Sequence, residues 1–108
     1  MRYLMMTMRD DNEATPDEKM FTEMGKFVAE LSAAGILVAS GGLDPAGTQM
    51  TYEDGEITVT DGPYAEAKET VGGFALVDLR DQDELTEVAR RFFAITGNGV
   101  SRVHQVFG

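Results

Sequence analysis

Two runs of apolar residues at helical spacing, each set between short strand-like segments, constrain this chain most. In the first run Met20, Met24, Phe27, Val28 and Leu31 fall at three- and four-residue steps, which places them on one stripe of a helix. In the second, Leu85, Val88, Ala89, Phe92 and Phe93 do the same. Each run has a start signal. Thr15-Pro16-Asp17-Glu18 opens the first, with Thr15 as the cap, Pro16 at the first helical position and Glu18 closing a capping box. Its two acidic groups sit at the positive end of the helix dipole. Asp81-Gln82-Asp83-Glu84 repeats that logic. Gly35 ends the first helix, and Gly97-Asn98-Gly99 ends the second.

Strand signals fill the rest. Tyr3 to Met8 carries Tyr3 and Met5 on one face and Leu4, Met6 and Met8 on the other, the pattern of a central strand covered on both sides. Asp10 to Glu13 follows as a polar loop. Ile36 to Ala39 begins a second strand, expected to loosen at Ser40-Gly41-Gly42. Asp54-Gly55 is the preferred chemistry for a two-residue hairpin turn. That turn pairs Tyr52 with Ile57 and Met50 with Val59 on one face. Thr51, Glu53, Glu56 and Thr58 fall on the wetter face. Asp61 to Gly73 has no regular pattern, Phe74 to Leu79 reads as a strand, and Val100 to Phe107 is the last strand.

This order predicts an α+β protein. Two split β-α-β halves with an extra hairpin make a ferredoxin-like layer, two helices on one face of an antiparallel sheet. The strands are apolar on both faces, so the second face needs a cover. A two-fold homodimer stacking two sheets would supply one. With no repeat, linker or low-complexity segment, residues 1–108 read as a single domain.

Charge and composition narrow the function classes. The formal net charge of the 108-residue chain is −10, so it lacks the basic footprint of a nucleic-acid binder and suits anionic membranes poorly. It has no cysteine, which removes disulfides, thiolate chemistry and cysteine-based zinc sites. The N-terminal apolar run is too short for a signal segment, and Arg9, Asp10 and Asp11 follow at once. No stretch approaches the roughly 20 apolar residues that span a bilayer. The expected location is the cytoplasm.

Chemistry concentrates in Thr60-Asp61-Gly62-Pro63-Tyr64-Ala65-Glu66-Ala67-Lys68-Glu69, followed by Val71-Gly72-Gly73-Phe74. Gly62 permits an unusual backbone angle and Pro63 fixes the next one. Asp61 can accept hydrogen bonds from amides of its own turn. Tyr64 offers an apolar body with a hydroxyl tip. A carboxylate and an amine in a partly dry pocket can exchange protons, which makes Asp61, Glu66 and Lys68 the candidate catalytic groups. Gly62, Pro63, Tyr64 and Ser40 are the candidate binding residues. The competing reading is a tight turn with a solvated charged tail.

This segment closely resembles the signature of the DGPF family, a branch of the YCII-related proteins. Tyr64 stands where that family usually has Phe. The resemblance extends over the opening strand, the helix ending at Gly35, the Gly41-Gly42-Leu43 segment and Gly72-Gly73-Phe74. It implies a dimeric α/β barrel of ferredoxin-like protomers, with a cleft lined by the signature. It implies no particular reaction. Some YCII relatives resemble small enzymes with a histidine-aspartate pair. Their histidine lies in the first helix, where this chain has Met24, so that mechanism does not carry over. Some DGPF members are encoded beside extracytoplasmic-function sigma factors, which keeps a regulatory role open beside binding or transformation of a small polar metabolite in the cleft lined by Asp61–Lys68.

The remaining candidates read as structural. His104 is the only histidine and shares a strand face with Arg102 and Val106; it reads as a surface or interface residue rather than a general base. A zinc site needs more nitrogen or sulfur ligands than this chain offers. Asp10, Asp11, Asn12 and Glu13 lack the spacing of a calcium loop. Ser40 lacks the context of a nucleophile elbow. No nucleotide-binding glycine motif occurs. Met5, Met6, Met20 and Met24 read as core fillers. The expectation is no metal and no cofactor.

Overall fold

The structure, a computed structural model, describes residues 1–9, 17–44, 46–61 and 70–108, with the side chains of Arg9 and Thr70 left aside. In these residues the chain order is β1 (Arg2–Arg9), α1 (Glu18–Ala33), β2 (Leu37–Gly42), β3 (Thr48–Glu53), β4 (Glu56–Asp61), β5 (Thr70–Asp78), α2 (Gln82–Thr96) and β6 (Ser101–Val106). Four strands form one sheet in the order β2-β5-β1-β6, and β3-β4 form a separate hairpin. All pairings are antiparallel. This is the expected α+β, ferredoxin-like arrangement, with each helix linking two strands that are not neighbours.

The helix ends follow local chemistry. Asp17 caps α1, its carboxylate accepting from the Met20 N–H at 2.8 Å. The start signal therefore acts two residues later than the Thr15 reading, and Thr15 and Pro16 lie outside the described residues. Asp81 caps α2 in the expected way, accepting from the Glu84 N–H at 2.9 Å. At the end of α1, Gly35 takes φ +76°. Its N–H donates to the Ser32 carbonyl at 3.1 Å and the Ile36 N–H to the Leu31 carbonyl at 2.9 Å. Those two bonds satisfy carbonyls that the helix itself leaves open.

Two strand boundaries differ from expectation. β2 does not loosen at Ser40-Gly41-Gly42; these residues pair with Ala75, Phe74 and Gly73. β5 begins at Thr70, four residues earlier than its apolar pattern suggests. The reason is shared. Backbone pairing with β1 and β5 carries glycine-rich segments that have no side-chain alternation to read. The hairpin forms as expected, with Asp54 at φ 51° and Gly55 at φ 84° in its turn, and Tyr52 opposite Ile57 and Met50 opposite Val59.

Both helices pack on one face of the sheet. Tyr3, Met5 and Val77 meet Phe27 and Leu31 from α1 and Leu85 and Val88 from α2. Between the helices, Arg91 pairs with Glu30 and lies over the Phe27 ring at 4.9 Å. No other described element packs on the hairpin. The radius of gyration is 16.1 Å, against about 13 Å for a compact domain of roughly 100 residues. The hairpin therefore stands off as an arm.

On the opposite face Arg2 and Asp78 are cross-strand partners. The Arg2 guanidinium donates to both carboxylate oxygens, at 2.8 and 3.0 Å. Arg2's hydrogen bond holds the Asp78 carboxyl below its ordinary pKa. A depressed folded value means the pair stabilises above the ordinary carboxylate range, and that stabilisation is lost as pH falls through the lowered value. Both side chains are 41% exposed, so the effect is modest. Arg2→Ala should lower Tm at neutral pH, and the deficit should shrink in acid below the carboxylate range. Melts at the two pH values check this; an equal deficit at both would assign Arg2's role to packing.

Candidate functional site

Strand register creates a hollow at one end of the layer. Along the helix-facing side of the sheet, one row across the strands is Leu37, Val77, Tyr3 and Gln105. The next is Ser40, Ala75, Met5 and Val103, and the third is Gly42, Gly73, Thr7 and Ser101. Side-chain bulk falls from row to row. The bulky centre of the first row fills the core, with Val77 1% and Tyr3 7% exposed. The third is too small to reach the helices.

What remains is a cavity of about 700 Å³ between the helices and the sheet. That lies in the range of small-molecule sites, about 300–1,000 Å³. Its wall includes Met5, Met20, Met24, Phe27, Phe92 and Phe93. Thr7, Ser40, Asn98 and Ser101 add polar groups, and no charged side chain lines it among the described residues. One end of the hollow opens to solvent beside Ser40 and Asn98, which are exposed. Gly73 cannot be enlarged freely: a Cβ there would meet the Gly41 carbonyl oxygen at 3.2 Å.

The residues singled out from sequence divide into three groups. Ser40 lies on β2 and lines the cavity. Asp61 ends β4 on the exposed hairpin, its carboxylate 3.4 Å from the Thr48 hydroxyl that donates to it. Gly62, Pro63, Tyr64, Glu66 and Lys68 lie outside the described residues, as does the Asp10–Glu13 loop. His104 is exposed on the edge strand β6. Among the described residues no cluster of histidine and carboxylate groups could hold a metal ion. No described helix is long and apolar enough to cross a membrane.

Sequence reasoning treated Met20 and Met24 as core; Met24 does pack against the core, and both also line the hollow. It also passed over Thr7 and Ser101. Both belong to strands whose alternation was legible, but their meeting with Gly73 depends on register between segments far apart in the chain.

A family model for the YCII-related domain matches residues 1–107. The chain belongs to the YCII-related family. A relative, an uncharacterised protein of Rhizobium meliloti (strain 1021), is 34% identical over 76 residues, 68% of this chain. This chain spans 61% of that relative's length. Among solved structures, the 5-chloro-2-hydroxyhydroquinone dehydrochlorinase TftG from Burkholderia phenoliruptrix AC1100, in complex with 2,5-dihydroxybenzoquinone, is similar with a TM-score of 0.51. That likeness covers 99% of this chain and 94% of that chain at 14% identity, which supports the YCII-like fold and nothing finer.

The taper predicts a contrast within this YCII-related core. Leu79, at 3% exposure, sits at the filled end. Leu79→Ala should lose about 2–5 kcal/mol, the usual range for a buried leucine. Met20→Ala, facing open space, should lose roughly 1 kcal/mol or less. Urea unfolding of both variants measures the difference; equal losses would mean the cavity end is packed as tightly as the core.

Proposed function

We propose that this protein binds a small organic metabolite in the cavity between its helices and sheet, with the Asp61–Lys68 segment supplying polar groups at the edge. The observation that carries the reading is the tapered, charge-free hollow among the described residues. Chain connectivity supports the second part. The segment leads directly into β5, and Lys68 precedes the cavity-lining Gly72 by only four residues. The complex of TftG with 2,5-dihydroxybenzoquinone shows that a protein of this fold can hold a small ring compound.

On this reading Asp61 orients the ligand or acts as a base. Lys68 holds an anionic group left at the edge, and Glu66 tunes Lys68. Gly62, Pro63 and Tyr64 shape the turn, and Ser40 contributes from the cavity wall. Incubation with a metabolite extract, followed by mass spectrometry, tests the assignment. The wild type should deplete at least one compound; Asp61→Ala and Lys68→Ala should fold normally and leave it untouched. Unchanged depletion by both variants would remove these residues from the chemistry. No depletion by the wild type would favour the second reading, a non-catalytic binding or regulatory dimer, linked to a sigma factor in the manner of some DGPF proteins.

One observation also favours a second copy of this chain as partner. The sheet face turned from the helices carries Leu4, Met6, Leu76 and Val106, half-buried with no described element across them. A two-fold stack of sheets would cover this face and build the dimeric barrel. Cytoplasmic location completes the proposal. Sedimentation velocity should show a dimer for the wild type and a shift toward monomer for Leu4→Glu. A wild type that stays monomeric at high concentration would refute the stack.

A further inference from the structure

We propose that the part of the ligand entering the cavity is an uncharged ring system bearing one hydroxyl or carbonyl group, and that Ser101 is its hydrogen-bonding partner. This rests on the cavity reading above and goes beyond it by naming the chemical class and a new binding residue.

Three observations converge. First, the wall is built from aromatic rings and methionine thioethers, including Phe27, Phe92, Phe93, Met20 and Met24. Aromatic edges and polarisable sulfur both favour flat rings. Second, no charged side chain lines the cavity among the described residues. An ion inside would lose its hydration without a partner, so any charged group stays at the edge. Third, among the described residues the Ser101 hydroxyl is sealed from solvent and has no hydrogen-bond partner.

The third observation selects the residue. A buried hydroxyl without a partner destabilises a protein by the desolvation of that group. Ser101 lies on the cavity wall, in the row of small residues beside Thr7. Rotation about its one χ1 bond moves the hydroxyl among three staggered positions. A ligand hydroxyl or carbonyl pressed against this wall can then satisfy it. Ser101 reads the ligand's polar group, and the Phe and Met walls read its ring.

A matched pair of probes, naphthalene and 2-naphthol, tests this by fluorescence titration of the full chain. Wild type should bind both, 2-naphthol about fivefold tighter, the scale of one neutral hydrogen bond. Ser101→Ala should bring that ratio close to one, and Ser101→Thr should restore it. Ala75→Leu, which pushes bulk into the cavity, should weaken both probes. The Tm of unliganded Ser101→Ala should match or exceed that of wild type, because an unsatisfied group is gone. If both probes bind equally, or Ser101→Ala keeps the preference or lowers Tm, the role of Ser101 is overturned while the cavity reading stands. If neither probe binds, or Ala75→Leu leaves both unaffected, the cavity reading falls as well.

Discussion

Pairing of β1 with β5 on one side and β6 on the other sets which distant residues can meet. Because side chains alternate across a strand, one register decides every contact on both faces at once. On the helix side it aligns Tyr3 with Val77 at the filled end and Thr7 with Gly73 and Ser101 at the hollow end. On the other side it aligns Leu4 with Leu76 and Arg2 with Asp78. A slip of one residue would turn Tyr3 and Met5 outward and dissolve the core and the cavity together.

The taper explains how so short a chain can keep a cavity and still fold. Close packing is concentrated where Leu31, Val77, Leu79, Leu85 and Val88 lie. The other end gives up packing for space, and methionine suits that end because its flexible side chain adapts to irregular gaps. The same economy leaves apolar surface outside. Met50, Tyr52, Ile57 and Val59 share one face of the hairpin arm and are each more than half exposed. Apolar faces of this kind usually mark contacts with another molecule. The chain's formal net charge of −10 disfavours anionic surfaces on average.

Much of the architecture was legible in the chain. The two apolar stripes, the Asp81 cap, the Gly35 stop and the Asp54-Gly55 turn each depend on residues a few positions apart. They were readable because helix caps and tight turns are satisfied by their own neighbours. The Thr15 reading shows the limit of that logic. Thr15 and Asp17 both fit a cap, and the choice fell to the carboxylate that reaches the Met20 amide. The strand through Ser40-Gly41-Gly42 was missed for another reason. Its hydrogen bonds go to β5, and glycine carries no pattern that announces a distant partner.

The sequence by itself determined the order of elements, the helix faces, the hairpin register and the resemblance carried by the Asp61–Glu69 segment. All of these are local, written within a helical turn or a strand pair. Only the tertiary structure decided that Gly42, Gly73, Thr7 and Ser101 form one row, and that Met20 and Met24 border a space beside the core. A cavity is a property of what fails to meet across a sheet. No single segment holds that information, because each contributes one small residue that is unremarkable until the others are set beside it.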